Sequence, residues 1–215
     1  VKTQIIGAYD SAVEEQAQRV KEFMNYQITH VMEEFDEELD QMLFYLPLAG
    51  SAFKKVYYDE GLGRAVSKFV APEDLIVPYF TTDLETCPRI TNVIKMPENE
   101  VRKLQALGFY RKVEIDTGDD ADMYSEAKEE INKLSGMEPS YDNGEVSILY
   151  EVHCNLELDG FEDMDESGEM TGVKLPYIVT IDANSNEILS IRRNFQENDP
   201  LKNKVEYFVH FKFLP

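Results

Sequence analysis

The sequence is poor in three residue types: its 215 residues include two cysteines, three histidines and no tryptophan. The cysteines, Cys87 and Cys154, lie far apart without CxxC spacing, which favours a reducing compartment over a disulfide framework. No apolar run of about 18 residues and no charged-then-apolar leader occurs, so the sequence predicts neither a membrane span nor a signal peptide.

Basic residues are also scarce: the chain has 21 lysines and arginines and 42 aspartates and glutamates, which gives a formal net charge of -21. Non-specific nucleic-acid binding depends mainly on Lys and Arg that neutralise phosphates, so this balance argues against it. We interpret the excess as a solvated acidic surface. Apolar residues, by contrast, are plentiful: 43% of the chain is hydrophobic, with 12 Phe and 12 Tyr, enough for one domain or two small ones.

The N-terminal quarter has a helical pattern, in which apolar residues recur in steps of three or four and predict one buried stripe. Ser11 and Glu14 match a capping box at its start. The pattern suits either one helix over residues 10–49 or two packed helices broken near Glu33–Asp36. The residues of the stripe are Val13, Ala17, Val20, Met24, Ile28, Val31, Phe35, Leu39, Met42 and Leu46.

A β-hairpin follows the helical stretch, which Pro47 and Gly50 are expected to end. Its strands are predicted near Ala52–Asp59 and Arg64–Val70, joined by the Gly-rich turn Glu60–Gly63.

The middle of the chain alternates short elements. Thr82–Glu85 fits a second capping box, but Pro88 limits any helix there to one turn. Arg89–Lys95 is predicted as a strand. Pro97 then opens a short helix, whose first turn holds acidic residues favourable to the helix dipole and which Gly108 ends. The predicted apolar face of this helix is Val101, Leu104 and Leu107, and a further helix is predicted near Asp122–Leu134.

The C-terminal third is predicted to be β. Apolar and polar residues alternate over Val146–Leu158, which predicts a strand with its apolar side buried. Leu175–Asp182 and Glu187–Arg193 flank the turn sequence Ala183–Asn186 and predict a hairpin. The predicted face of a last strand is Val205, Tyr207, Val209, Phe211 and Phe213.

Together these elements predict an α+β fold, with antiparallel sheets or hairpins packed against an N-terminal helical pair and two short helices. We expect a helical segment over residues 1–50 and one compact α+β domain over residues 51–215. The chain starts at Val1 without Met and stops in the apolar sequence FVHFKFLP, so we expect it to be a piece of a longer protein.

One segment resembles a metal site: Asp163–Gly168 matches the first six positions of an EF-hand calcium loop. The twelfth position, where that loop needs a bidentate glutamate, is Lys174, and a cation there would repel Ca²⁺. The flanking residues predict strands rather than helices. A solvated acidic loop is therefore the simpler interpretation, and a small acidic metal-binding or enzymatic domain that uses this loop remains the alternative.

The other candidates for chemistry are isolated. His30 shares a helical face with Glu33, but the three histidines occupy different elements and lack paired-ligand spacing. His153 and Cys154 are neighbours on a strand and point to opposite faces, so they do not form a base–nucleophile pair. The sequence thus predicts no catalytic, cofactor-binding or metal-binding residue. The other two histidines are His153 and His210. The basic doublets Lys54-Lys55 and Arg192-Arg193 lie on predicted strands, where adjacent residues face opposite ways, so neither doublet is expected to form a single basic patch.

Three segments carry a resemblance to a known family. They are LFYLPLAGSAFKKVYYDEGLGRAVSKFVAPEDLIVPYF (43–80), DLETCPRITNVIKMPENEVRKLQALGFYRKVE (83–114) and KLPYIVTIDANSNEILSIRRNFQENDPLKNKVEYFVHFKFLP (174–215). They resemble the N-terminal wing region of portal proteins from short-tailed, podovirus-like bacteriophages. The likeness extends along most of the chain from about Tyr26 and involves no catalytic motif.

The resemblance implies a structural protein, neither an enzyme nor a cofactor binder, in the virion of a phage or prophage. Such a portal is a homo-oligomeric ring at one capsid vertex, of twelve subunits in the full-length family, and serves DNA packaging and genome ejection. Its implied partners are other portal subunits, the coat protein, and the packaging motor and tail factors, the last two through regions absent here. DNA would pass without sequence-specific binding, no membrane is involved, and assembly would occur in the host cytoplasm.

Overall fold

A computed structural model describes residues 1–7, 10–115, 146–164 and 167–214, so the predicted helix at Asp122–Leu134 lies outside the described residues. The fold class is α+β, as the sequence predicts. In chain order the elements are α1 (Ser11–Tyr26), a π-helical turn (Gln27–Val31), α2 (Phe35–Ala49), β1 (Ser51–Asp59), β2 (Arg64–Val70), a 3₁₀ turn (Pro72–Asp74), β3 (Leu75–Ile76), β4 (Arg89–Pro97), α3 (Glu98–Ala106), β5 (Val146–Leu156), β6 (Leu175–Asp182), β7 (Ile188–Arg193) and β8 (Phe208–Lys212).

The chain divides into two compact units. The first contains Val1–Glu73 and Tyr207–Pro215, and the second contains Asp74–Glu206. The N-terminal helices therefore belong to the same unit as β1, β2 and β8, and residue 50, where we expected a boundary, lies inside that unit.

In the first unit, β2, β1 and β8 form an antiparallel sheet in that order, against which α2 packs. The helical stretch is broken at residues 32–34, so the two-helix alternative is correct. Gly50 caps α2 in the left-handed conformation (φ 72°), whereas Pro47 lies inside the helix, contrary to the prediction that it ends it.

Two details of α1 differ from the prediction. Its N-cap is Asp10, no side chain caps the helix, and Ser11 is its first residue, so the capping box with Glu14 does not form. None of the 16 residues of α1 is buried, so the predicted buried stripe is wrong for this helix. In α2 the stripe is buried at Met42, because α2 packs on β1 and β2.

The second unit contains one antiparallel sheet in the order β3-β4-β5-β6-β7. The hairpin of β6 and β7 forms as predicted, with Asn186 in a left-handed conformation at its turn (φ 57°). Residues 77–88 contain no helix; instead of a capping box at Thr82, the Asp83 carboxylate accepts a hydrogen bond from the Thr86 amide at 2.7 Å.

The core of the second unit forms where α3 lies against the sheet. Val101 of α3 packs with Leu149 of β5 and Leu189 of β7, while Leu107, predicted to share the face of Val101, is exposed. The helix ends as predicted, with Gly108 at φ 81°.

The buried side of β5 is opposite to the predicted one. Its most buried residues are Ser147, Leu149, Glu151 and His153, whereas Ile148, Tyr150, Val152 and Cys154 are only half-buried. The reason is the position of α3, which covers the side of Leu149. The last strand is also shorter than predicted: it begins at Phe208, which is buried, while Val209 and Phe213 of the predicted face are exposed.

Candidate functional site

The loop that resembles an EF-hand has its first carboxylate already engaged. Asp163 forms an ion pair with Lys202 and accepts a hydrogen bond from the Thr171 hydroxyl at 2.7 Å. The hydrogen bond from Lys202, followed by that from Thr171, holds the pKa of Asp163 below its ordinary value of 3.8. A short antiparallel bridge between Met164 and Met170 closes the loop, so its flanks are extended rather than helical. This arrangement supplies Asp163 with a cation from the chain itself.

The three histidines lie apart, each with a partner of its own. His30, in the π-helical turn, lies 2.6 Å from the Thr29 hydroxyl and stacks on Tyr26. His210, on β8, lies 2.6 Å from the Ser51 hydroxyl, and its pKa is lowered by burial and by the nearby Lys212 charge. Within the described ranges, no three His, Cys, Asp or Glu residues are placed to hold a metal ion.

The cysteines are placed as inert side chains. The Cys87 thiol is buried and donates to the Arg89 carbonyl at 3.0 Å. Burial raises the pKa of Cys154, which keeps its thiol protonated and therefore weakly nucleophilic. Cys154 and His153 point to opposite faces of β5, as predicted.

The basic doublets split as the strand geometry predicts. Arg193 pairs with Glu197 at 2.7 Å, and Arg192 lies 3.9 Å from the Glu151 carboxylate. Lys54 differs, since it is 4% exposed and its ammonium lies 4.3 Å from the centroid of the Phe35 ring. Its Nζ has no hydrogen-bond partner among the described residues. Burial lowers the pKa of Lys54, while Glu38, Glu34 and Asp36 act in the opposite direction.

A buried polar cluster on the sheet of the second unit was not predicted. His153 Nε2 and Glu151 Oε1 lie 2.8 Å apart, and both side chains are almost fully buried. Tyr110 packs nearby and hydrogen-bonds the Thr180 side chain, and its pKa is raised by burial and by the Glu151 charge. The alternation of β5 placed Glu151 and His153 on the polar side, and no signal in the sequence indicated that α3 would cover that side. His153 and Glu151 thus pair with each other inside the unit, whereas the buried Ser147 hydroxyl on the same side of β5 has no hydrogen-bond partner among the described residues.

Two carboxylates, one at the N-cap of α2 and one inside that helix, bind the outer edge of β2. Glu34 accepts a hydrogen bond from the Ser67 amide at 3.0 Å and pairs with Arg64, and Glu38 accepts from the Phe69 amide at 2.6 Å. Residues four apart on a helix are separated by about 6 Å, close to the spacing of alternate residues on a strand, so the two carboxylates match two outward amides. This contact blocks pairing of β2 with another strand.

The pKa of Glu34 reflects this contact. Burial alone would raise it, but hydrogen bonds from Arg64 and Ser67 more than compensate and hold it below its ordinary value of 4.5. The carboxylate is therefore ionised and available as an acceptor at neutral pH.

The helices of the first unit expose several apolar side chains. Val13, Val20, Phe23 and Met24 of α1 are exposed; we call them the α1 stripe. The N-terminal segment lies beside α1, where Thr3 donates to the Ala17 carbonyl, and leaves this stripe uncovered. An uncovered apolar stripe of this kind marks an interaction surface more often than a catalytic one.

No protein-family model matches the chain, and no curated protein matches it significantly. The likeness to phage portal proteins thus stays a prediction. In the described part of the chain, no helix is both long enough and apolar enough to cross a bilayer.

Proposed function

We propose that this chain is the wing part of a phage or prophage portal, a structural subunit that works by packing against copies of itself and against the coat shell. The likeness of residues 43–80, 83–114 and 174–215 suggests the family. The single structural observation that carries the proposal is the α1 stripe, a helix surface that the subunit builds and does not cover.

A ring of more than two subunits requires that one surface of a subunit meets a different surface of the next. Such heterologous contacts form a ring when the rotation between neighbouring subunits closes, and an open filament when it does not. The first unit suits this requirement, since one edge of its sheet is closed by Glu34 and Glu38 while α1 stays exposed. The β2 edge is thereby occupied against strand pairing, and α1 offers a helix surface for contact.

The charge of the chain suits a channel for DNA. A net charge of -21 disfavours retention of phosphates, so a polyanion would pass without binding. The described reactive groups also support a framework role, because Asp163 is paired with Lys202 and His153 with Glu151.

Electron microscopy of the longer protein to which this chain is expected to belong tests the proposal. We expect closed rings, located at one vertex of the virion when particles are imaged. A longer protein that stays monomeric, or a substrate that the purified chain turns over, would contradict the proposal.

A further inference from the structure

The loop that joins β5 to β6 exposes several apolar side chains together. We call residues 157–174 the acidic loop. Met164 and Met170 are partners in its antiparallel bridge and are 53% and 64% exposed. Phe161 and Val173 lie three residues outside this pair on the two arms and are 57% and 55% exposed. Partners in an antiparallel bridge project to the same side, so the two methionines form one exposed apolar surface.

Polar contacts join the two arms of the acidic loop without using the methionines. The Thr171 amide donates to the Asp163 carbonyl at 2.9 Å, and the Thr171 hydroxyl donates to the Asp163 carboxylate at 2.7 Å. The methionine side chains are thus displayed on arms that are already held together. Such a display lowers the entropic cost of a contact made through them.

The ionised groups of the acidic loop are almost all of one sign. Its sequence has seven carboxylates from Glu157 to Glu169, without a lysine or arginine among them. The sequence of the loop contains a single cation, Lys174, at its end. The exposed methionines therefore lie in a strongly negative surrounding.

Two contacts inside the second unit show which groups this surface accepts. The Lys202 ammonium lies on the Asp163 carboxylate, and the Arg193 guanidinium lies 5.9 Å from the centroid of the Phe161 ring. Arg193 is also paired with Glu197. The carboxylates remain in excess when these two cations are counted with that of the loop itself. Cations on carboxylates and over rings are the contacts that a basic protein segment would make.

We propose that the acidic loop is a docking surface for a basic, amphipathic segment of a partner protein. Apolar side chains of that segment would cover Met164 and Met170, and its lysines and arginines would face the surrounding carboxylates. Methionine suits such a contact because its unbranched, polarisable side chain adapts to different partners. The inference is independent of the ring and goes beyond it, since the acidic loop belongs to the second unit and the α1 stripe to the first.

Charge selects this partner over other occupants. DNA and anionic lipids are negative and would be repelled. A second copy of the chain carries a net charge of -21, and its basic doublets are already partly engaged. In each doublet at least one member is buried or paired with a carboxylate of its own chain, and the doublets are Lys54-Lys55, Arg102-Lys103, Arg111-Lys112 and Arg192-Arg193.

A fluorescein-labelled peptide of about 18 residues, made of lysine and of leucine at helical spacing, is the probe. Fluorescence anisotropy should show that it binds the 215-residue chain with a Kd below about 100 µM. A peptide with serine in place of leucine keeps the charge and should bind at least about tenfold more weakly. Absence of binding of the leucine peptide, or equal binding of both peptides, would overturn the inference.

Substitution of the methionines locates the contact. Met164→Gln with Met170→Gln should weaken binding of the leucine peptide at least about tenfold. Both side chains are exposed, so this variant should keep the wild-type far-ultraviolet circular dichroism. Leu62→Gln with Leu107→Gln changes two exposed side chains elsewhere and should bind as the wild type does. An unchanged Kd of the methionine variant, or equal losses in both variants, would contradict the assigned surface.

Neutralisation of carboxylates gives an independent measurement. Glu157→Gln with Asp159→Asn should raise the Kd about threefold or more, and added salt should act in the same direction. Glu37→Gln with Asp40→Asn makes the same change of charge in the first unit and should raise it by less than about twofold. Equal effects of the two variants would mean that the net charge of the chain governs binding, and the inference would fail.

Sedimentation equilibrium of the chain without peptide tests the occupant. The wild type and the methionine variant should sediment alike. Wild-type dimers that Met164→Gln with Met170→Gln dissociates would assign the surface to a second copy and would overturn the proposed basic partner.

Discussion

Both units bury apolar side chains against their sheets, Met42 and Val66 in the first and Val101 and Leu149 in the second, but the first unit also has carboxylates bound along an edge of its sheet. Glu34 and Glu38 bind the outward amides of β2, and Lys54 is buried beneath α2. The second unit instead packs Val101, Leu149 and Leu189. The comparison teaches that the first unit uses ionised groups to occupy the β2 edge of its sheet and leaves apolar residues of α1 exposed, while α3 of the second unit buries Val101 against its sheet.

The largest expected effect tests the core of the second unit. Leu149→Ala removes a fully buried side chain and should lower the free energy of unfolding by about 3 kcal/mol. Hydrogen exchange should rise in β4, β5 and β6 and stay unchanged in β1 and β2. Urea denaturation measures the change in the free energy of unfolding. Leu201→Ala, at an exposed position, is the control and should change this free energy by less than about 0.5 kcal/mol. Equal acceleration of exchange in both units would break the comparison.

The next effect concerns the closed edge of β2. Glu38→Ala leaves the Phe69 amide without its acceptor and should cost about 1–2 kcal/mol, measured by urea denaturation. Glu38→Gln keeps an acceptor oxygen and should restore most of this loss. Glu37→Ala, at an exposed position of the same helix, should have little effect. If Glu38→Ala were neutral, the edge contact would carry no stability.

We expect Lys54 to lower the stability of the first unit. Lys54→Met keeps the length of the side chain, removes a buried ammonium without a hydrogen bond, and should stabilise by about 1 kcal/mol at pH 7. Because the pKa of Lys54 is lowered in the fold, the unfolded chain binds more protons between that pKa and 10.5, and wild-type stability rises with pH there.

The advantage of Lys54→Met over the wild type should therefore shrink as the pH approaches 10, as urea denaturation at several pH values would show. The exposed Lys68→Met is the matched control on the same sheet. A destabilised Lys54→Met would mean that the ammonium contributes through Phe35 and the nearby carboxylates.

A smaller effect on stability is expected when the pH is lowered and Glu34 becomes protonated. Since the pKa of Glu34 is depressed in the fold, its contribution is present above 4.5 and is lost as the pH falls through the folded value. The difference in stability between wild type and Glu34→Gln should be below about 1 kcal/mol at pH 6 and should shrink as the pH falls below 4.5. A difference for Glu34→Gln that stays constant over this pH range would exclude the linkage.

The smallest expected effect is that of calcium. A ligand that binds only the folded chain raises the melting temperature, so millimolar Ca²⁺ or Zn²⁺ should leave it unchanged if Lys202 occupies the Asp163 loop. A clear rise that Asp163→Asn abolishes would instead favour the metal-binding alternative.

Patterns that depend on neighbours along the chain were predictable. The hairpin of β1 and β2, strand β4, helix α3 and the hairpin of β6 and β7 lie within a few residues of their predicted bounds. Alternation, turn glycines and the Pro–Gly pair around α3 are local signals, and they determine these elements whatever packs on them. Lys174, at the twelfth position of the loop, already argued against calcium at the level of the sequence. The pairing of Asp163 with Lys202, 39 residues away, was not predictable from local patterns.

The sequence by itself determined the acidic character, the α+β class and the kinds of local element. Only the tertiary structure decided which faces are buried: α1 carries the same periodic stripe as α2 but buries none of it, and Glu151 and His153 lie inside although they alternate with apolar neighbours. The physical reason is that periodicity defines the two sides of an element, whereas burial depends on which side another part of the chain covers.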